Sequence, residues 1–126
     1  MIFGIGTDIV SYARIKSLHE QYGERVAQRM LSDSELDEYN RAADPARYLM
    51  KHFAAKEAFA KAMGTGLRAG VTLRRITIAH DKLGKPLLSF DDVLSNYVAN
   101  LGITRHHISI SDEKDTAVAF VVLEKG

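Results

Sequence analysis

The chain has 126 residues, the size of one domain with a hydrophobic core of its own. Hydrophobic residues make up 46% and charged residues 26% of the chain, which is the balance of a soluble globular protein. The formal net charge of +1 argues against bulk nucleic-acid binding, and the absence of cysteine excludes disulfides and thiol catalysis. The first residues do not resemble a signal peptide, and no apolar run approaches the roughly 20 residues that span a bilayer. We therefore expect a cytoplasmic protein with one domain, residues 1–126, and no membrane partner.

Hydrophobic periodicity and turn residues predict an α+β fold, with helices packed on a mostly antiparallel sheet. Ser32 stands three residues before Glu35, the spacing of a capping box. Asp44 and Pro45 suit the cap and first turn of a long helix, which Gly64 ends. The predicted elements are a strand at 2–10, helices at 12–21, 24–30, 32–39 and 45–63, strands at 73–80 and 87–90, a helix at 91–101, and strands at 106–111 and 116–123.

Asp8 is a carboxylate on an otherwise apolar strand. Alternate strand residues share a face, so Asp8 lies on the same face as Gly4 and Gly6. Glycine in a strand often marks the close approach of a ligand or another backbone, and we expect these glycines to leave open space beside Asp8. The alternative is that Asp8 caps the following helix. The opposite face, which we expect to pack on the core, carries Phe3, Ile5, Thr7 and Ile9.

Glu57 lies at the edge of the apolar arc of the long helix, and Lys56 lies inside that arc. Unpaired buried charge is costly, so these positions favour a functional interpretation. The alternative for Glu57 is an exposed pair with Lys61 one turn further on, worth a few tenths of a kcal/mol. The side chains on the opposite side of the helix are small enough for another element to pack closely against them. They are Ala54, Ala55, Ala58 and Ala62.

Two carboxylates from different elements suit Mg²⁺, which binds oxygen ligands and keeps waters and substrate phosphates in its shell. Lys56 and Lys61 are then positioned to neutralise phosphate oxygens. Backbone N–H groups at Gly64 and Gly66 can meet an anion, although a helix C-cap explains these glycines equally well. The sequence has no Walker A motif and no dinucleotide-binding fingerprint, which argues against a nucleotide hydrolase or a Rossmann cofactor.

Several segments, in this order and at this spacing, resemble the holo-[acyl-carrier-protein] synthase family, the small phosphopantetheinyl transferases of fatty-acid synthesis. The segments are GIGTDIV at 4–10, Arg14 with Ile15, FAAKEA at 53–58, KAMGTG at 61–66, GKP at 84–86 and HISI at 107–110. The resemblance covers essentially the whole chain. It implies the fold of that family, a homotrimer, and an active site at the interface between subunits.

The resemblance also implies a reaction and its residues. The 4′-phosphopantetheine group of coenzyme A would pass to a serine of apo acyl carrier protein, with release of adenosine 3′,5′-bisphosphate. Asp8 and Glu57 would bind Mg²⁺, and Glu57 and Lys61 would be catalytic, with Glu57 or a metal-bound water accepting the serine proton. The coenzyme A contacts implied are Lys61, Gly64, Gly66, Lys85, Pro86 and His107, with His107 reaching the site from a neighbouring subunit.

An acidic carrier protein implies a basic docking surface. By resemblance, Arg14 would pair with an acidic residue near the serine of the carrier. Arg25 and Arg29 lie one turn apart on the next helix and would extend the patch, and a solvated helix face is the alternative.

Two positions depart from the family pattern. His52 stands where relatives often carry arginine, which implies a weaker and pH-dependent phosphate contact. Asp112 stands where many relatives have a second histidine, so no role is implied for it.

A non-catalytic module that binds coenzyme A or the carrier protein is the alternative function.

Overall fold

The computed structural model describes residues 1–126 and confirms the α+β class. The strands are β1 (Ile2–Ser11), β2 (Ile76–His80), β3 (Pro86–Phe90), β4 (Ile103–Asp112) and β5 (Thr116–Lys125). The helices are α1 (Tyr12–Tyr22), α2 (Glu24–Met30), α3 (Asp33–Asn40), α4 (Pro45–Met63) and α5 (Asp92–Asn100). None of these helices has the length and apolar character needed to cross a membrane.

The strands form two antiparallel sheets instead of the single sheet that we predicted. One sheet has three strands in the order β1-β5-β4, and the other pairs β2 with β3. The predicted strand at 73–80 begins with a short 3₁₀ turn, Leu73–Arg75, and only Ile76–His80 is extended. Because β1 pairs only with β5, it is an edge strand of the larger sheet.

Helix α4 packs on the glycine face of β1. A Cβ atom on Gly4 would lie 2.0 Å from the carbonyl oxygen of Ala62, and one on Gly6 would lie 2.0 Å from that of Ala58. The glycines therefore admit another backbone, as one alternative had it, and the prediction that they leave open space beside Asp8 is wrong. The alanines of α4 provide the matching close surface.

The opposite face of β1 is exposed, so the prediction that it packs on the core is also wrong. Ile5 is 59% exposed and Ile9 is 68% exposed. Period-two alternation distinguishes two faces of a strand, but it does not say which of them meets the helix. Here the smaller side chains lie inward because the helix backbone comes so close.

Helix ends follow the predicted capping chemistry. The Asp44 side chain accepts a hydrogen bond from the backbone N–H of Arg47 at 3.1 Å, and Pro45 is the first residue of α4. Ser11 caps α1, because its hydroxyl accepts from the backbone N–H of Arg14 at 3.2 Å. The alternative in which Asp8 caps that helix is therefore wrong.

Lys56 is fully buried, and its charge is paired inside the core. Its Nζ donates to Glu35 Oε1 at 2.5 Å, to the carbonyl oxygen of Met30 at 2.8 Å and to that of Leu73 at 2.9 Å. The other oxygen of Glu35 accepts from the backbone N–H of Ile78 at 2.9 Å. Lys56 thus ties α4 to α2, to α3 and to the 3₁₀ turn before β2, and the expectation that it would neutralise a phosphate is wrong.

Candidate active site

Asp8, Glu57 and Lys61 lie where the edge strand β1 meets α4. The Lys61 ammonium donates to Asp8 Oδ1 at 3.0 Å and to the carbonyl oxygen of Thr7 at 3.0 Å. The Asp8 side chain is 15% exposed and that of Lys61 is 52% exposed, so the group is open to solvent at one end. Lys61 pairs with Asp8 and not with Glu57, which overturns the alternative of an isolated surface pair on the helix.

The charges around Glu57 act in opposite directions. Partial burial and the neighbouring Asp8 carboxylate raise the pKa of Glu57, while the cations of Lys61 and Arg14 lower it. The structure therefore brings Asp8, Lys61 and Arg14 within electrostatic range of Glu57. Two carboxylates sharing a partly buried region favour a cation between them.

The ligand set at this site consists of two carboxylates. The structure contains no group of three or more His, Cys, Asp or Glu side chains able to hold a metal ion. Asp8 and Glu57 offer only hard oxygen atoms, the ligand type that Mg²⁺ prefers. Any remaining ligands for such an ion would come from water or from substrate.

Gly64 and Gly66 close the C-terminal end of α4. Both have positive φ, +82° and +63°, and their N–H groups donate to the carbonyl oxygens of Lys61 and Ala60. The capping alternative is therefore confirmed, and these two N–H groups are not free donors for an anion. A Cβ at either glycine would meet nothing within 4 Å, so a coenzyme A contact at their open Cα surface stays a prediction.

Lys85, Pro86 and His107 line one small cleft of about 80 Å³ between β3 and β4. The Lys85 ammonium has no ion-pair partner. His107 Nε2 lies 2.6 Å from Glu124 Oε1. Its neighbour His106 instead packs edge-on against Phe90, with ring centroids 5.3 Å apart.

His107 lies on the opposite side of the sheet from Asp8. It is directly across from Val122 of β5, which in turn is across from Ile5 of β1. Opposed residues of antiparallel strands share a face, so His107 lies on the same outer face as Ile5. Asp8 lies on the inner face with Gly4 and Gly6, against α4. The predicted coenzyme A contacts of one chain are therefore divided between two faces.

The three predicted carrier-binding arginines lie along one surface. The guanidinium carbon of Arg14 is 5.8 Å from the ring centroid of Phe53, beside the carboxylate site. Arg25 and Arg29 line an apolar groove of about 300 Å³. The other groove residues are Leu18, Tyr22, Val26, Met30 and Leu73.

The apolar floor of this groove was not predicted. Leu18 and Tyr22 follow Arg14 at successive intervals of four residues on α1, so they form a stripe that leads from the carboxylate site to the groove. That spacing is visible in the sequence and is the signal that identifies the groove. Phe53 gave no such signal, because its contact with Arg14 joins two helices.

The two positions that depart from the family pattern have structural roles. His52 is 5% exposed, its Nδ1 donates to the carbonyl oxygen of Tyr48 at 2.8 Å, and its Nε2 makes no hydrogen bond, with Glu35 Oε2 at 3.7 Å. The expectation of a phosphate contact at His52 is therefore wrong, because the ring lies in the core. Asp112 pairs with Arg47 at 2.9 Å and with Lys51 at 3.8 Å, which ties the end of β4 to α4.

Comparison with known proteins assigns this α+β domain, with two carboxylates and a lysine where β1 meets α4, to a family. The chain belongs to the 4′-phosphopantetheinyl transferase superfamily, whose model matches residues 4–121. The chain is 57% identical to the holo-[acyl-carrier-protein] synthase of Nitrosospira multiformis over 125 residues, 99% of this chain and 100% of that protein.

Solved structures agree along the whole chain. The crystal structure of holo-[acyl-carrier-protein] synthase from Neisseria meningitidis is 53% identical, with a TM-score of 0.96 that covers 99% of this chain and 100% of that one. A holo-(acyl-carrier-protein) synthase from Bacillus anthracis in complex with CoA (3′,5′-ADP) is 34% identical, with a TM-score of 0.82, and covers 100% and 99%. These structures confirm the predicted fold and family.

Proposed function

We propose that the chain transfers the 4′-phosphopantetheine group of coenzyme A to a serine of apo acyl carrier protein. The observation that carries the proposal is the site at the edge of β1, where Asp8 and Glu57 lie with Lys61 and Arg14. Membership of the phosphopantetheinyl transferase superfamily and the coenzyme A complex of the Bacillus anthracis relative support it. The serine Oγ attacks the β-phosphate of coenzyme A, and the bond to the departing adenosine 3′,5′-bisphosphate breaks.

Lys61 is the residue best placed to contact the phosphates of coenzyme A. Its ammonium is half exposed and already lies beside Asp8 and the carbonyl oxygen of Thr7. A cation at this point neutralises charge on the phosphoryl oxygens as it builds up during transfer. The flexible stem of lysine lets the ammonium turn from Asp8 to the substrate.

Glu57 accepts the serine proton in this proposal, directly or through a water. A general base is most effective when its pKa is closer to the working pH, and burial together with Asp8 raises the pKa of Glu57. Glu57 has no ion-pair partner of its own, unlike Asp8, so its carboxylate is the freer of the two.

Mg²⁺ is the proposed cofactor, held by Asp8 and Glu57. The residues fit the ion, because both offer carboxylate oxygens and no third protein ligand closes the site. When bound, Mg²⁺ neutralises negative charge on the phosphoryl oxygens and orients the pyrophosphate.

The division of contacts between two sheet faces supports an active site shared by subunits. His107 lies on the outer face of the sheet, away from Asp8 and Glu57 of its own chain. That face also carries exposed apolar side chains, which a second copy of the chain would cover. They are Ile5, Ile9, Val118 and Phe120. We infer a homotrimer in which His107 of one subunit contacts coenzyme A bound at Asp8 and Glu57 of the next.

Mixed trimers test the shared site. A variant with Glu57→Gln and a variant with His107→Ala, each inactive or weak alone, are co-expressed in equal amounts. If each site takes Glu57 from one subunit and His107 from another, random assembly leaves about a quarter of the sites with both residues intact. No recovery of transfer activity in the mixture would show that each chain uses its own His107.

The mass of the protein in solution tests whether the apolar outer face forms the subunit interface. Phe120→Glu should reduce the trimer to a monomer by light scattering, because it places a charge in the covered surface. Val93→Glu is the matched control, since Val93 is 57% exposed on α5, outside that face. An unchanged mass in Phe120→Glu would exclude this face as the interface.

The groove between α1 and α2 is the proposed docking surface for the acidic carrier protein. Arg14 marks the end near the carboxylate site, and Arg25 and Arg29 flank the apolar floor. Surface charge of this kind mainly speeds association, so replacing both Arg25 and Arg29 by Gln should raise the KM for the carrier and weaken its salt dependence. The KM for coenzyme A should stay unchanged in the same variant.

The transfer itself is tested by mass spectrometry. Incubation of the protein with coenzyme A, Mg²⁺ and apo acyl carrier protein should add the mass of one phosphopantetheine group to the carrier. Binding of coenzyme A without any gain in carrier mass would instead identify a non-catalytic binding module. A cytoplasmic location stays a prediction.

A further inference from the structure

The turn between β2 and β3 is built around one side chain, Asp81. Its Oδ1 accepts hydrogen bonds from the backbone N–H groups of Leu83 and Lys85, both at 2.9 Å. Its own backbone N–H donates to the carbonyl oxygen of Lys85, and its carbonyl oxygen accepts from Gly84, both at 3.0 Å. Four hydrogen bonds of a single residue thus set the path of the turn.

Little else holds this turn in shape. Leu83 at its tip is 97% exposed and makes no contribution to the core. Gly84 has a φ of +87°, a left-handed conformation that glycine adopts without strain. Because the turn has no apolar packing of its own, its conformation depends on the hydrogen bonds to Asp81.

The turn ends at the cleft that the proposed function assigns to coenzyme A. Lys85 and Pro86 line that cleft together with His107, and the Lys85 ammonium is free of ion pairs. We infer that Asp81 is a positioning residue, which holds the backbone of Lys85 so that its ammonium and Pro86 meet the phosphate-bearing end of coenzyme A. This inference rests on the proposed function, and it adds a residue that makes no contact with the substrate itself.

Two Asp81 variants separate this role from others. Asp81→Ala removes both side-chain hydrogen bonds and should raise the KM and the calorimetric dissociation constant for coenzyme A about tenfold, with kcat unchanged. Lys85→Met should produce a similar change, and the double variant should be no weaker than either single one. Asp81→Asn should bind coenzyme A normally, because its amide oxygen accepts the same two hydrogen bonds.

Asp91→Ala is the matched structural control. Asp91 accepts a hydrogen bond from the backbone N–H of Leu94 at 2.9 Å, a capping role of the same kind outside the cleft. Its replacement should lower stability without a change in coenzyme A binding. Amide hydrogen exchange at Leu83 and Lys85 should accelerate in Asp81→Ala and stay slow in Asp91→Ala.

The outcomes are distinct from those of the proposed function. Unchanged coenzyme A binding in Asp81→Ala would overturn the positioning role, as would an Asp81→Asn variant as weak as Asp81→Ala. A wild-type protein that binds coenzyme A but does not modify the carrier contradicts the proposed transfer, while the calorimetric comparison of the variants still tests Asp81.

Discussion

Lys56 and Lys61 lie on the same helix, and each pairs with a carboxylate from another element, but in opposite environments. Lys56 and Glu35 are fully buried, and Lys56 makes two further hydrogen bonds to carbonyl oxygens. Lys61 is half exposed beside Asp8, and Glu57 lies near the pair with a raised pKa. One face of α4 therefore holds a closed, balanced ion pair, and another face holds an open group with one carboxylate more than it has lysines.

The difference shows how the same residue types serve stability in one place and chemistry in another. A buried ion pair must have its hydrogen-bonding capacity satisfied by the protein, because water cannot reach it. An excess carboxylate at a partly exposed site instead leaves room for a cation and a substrate.

Lys56→Met should cost about 3–5 kcal/mol of unfolding free energy, because it leaves Glu35 buried without its counterion. Lys61→Met should cost less than about 1 kcal/mol, since its pair with Asp8 is screened by solvent. Urea denaturation followed by circular dichroism measures both values. Equal losses in the two variants would remove the structural distinction between the lysines.

Asp8→Asn and Glu57→Gln should each lower the transfer rate at least about a hundredfold, as expected when an electrostatic group of a reaction centre is lost. Both variants should keep the wild-type melting temperature, because neither carboxylate supports the core. Asp33→Asn is the matched control, since Asp33 pairs with Arg74 at the surface. Near-normal turnover in both site variants would refute their assignment to the metal and the reaction.

Arg14→Gln should raise the pKa of Glu57, because the Arg14 cation now helps to lower it. A carboxylate with a higher pKa is protonated at higher pH, so the acid limb of the pH–rate profile should move upward. The profile is measured at saturating carrier protein, which separates this effect from weaker docking. Arg105→Gln, on β4, serves as the control, and an acid limb that moves to lower pH would contradict the charge arrangement.

The buried ring of His52 predicts a small effect on stability. Burial lowers the pKa of His52, against the raising effect of Glu35. The unfolded state then binds more protons than the folded state below about pH 6.5, so the unfolding free energy falls as the pH drops from that value. In His52→Leu this part of the pH dependence should disappear, whereas the control variant His19→Gln, on α1, should retain it. An unchanged slope in His52→Leu would place the titration elsewhere.

Local signals predicted most of the elements. The long helix begins at Pro45 and ends at Met63 as expected, because a capping aspartate, a first-turn proline and a C-terminal glycine all agree. The predicted start of the strand at Leu73 was wrong. Residues Leu73–Arg75 form a 3₁₀ turn that brings the carbonyl oxygen of Leu73 to Lys56. That contact is long-range and leaves no local pattern.

The sequence predicted which residues form the site better than it predicted their surroundings in the fold. Asp8, Glu57 and Lys61 do meet, as both the sequence pattern and the family resemblance implied. The prediction assigned the two faces of β1 the wrong way round, because isoleucines usually mark the face that packs on the core and here they lie on the exposed face. The role of Lys56 was also missed, since its partner Glu35 is on another helix and already had a local explanation as a cap.

A metal ion held by Asp8 and Glu57 is tested most directly by the phosphopantetheine mass shift of the carrier, measured in EDTA and then with Mg²⁺ restored. We predict no mass gain in EDTA, recovery of full transfer with excess Mg²⁺, and no recovery in Asp8→Asn or Glu57→Gln. Transfer that continues undiminished in EDTA, or that returns in both carboxylate variants, would contradict a metal held by Asp8 and Glu57.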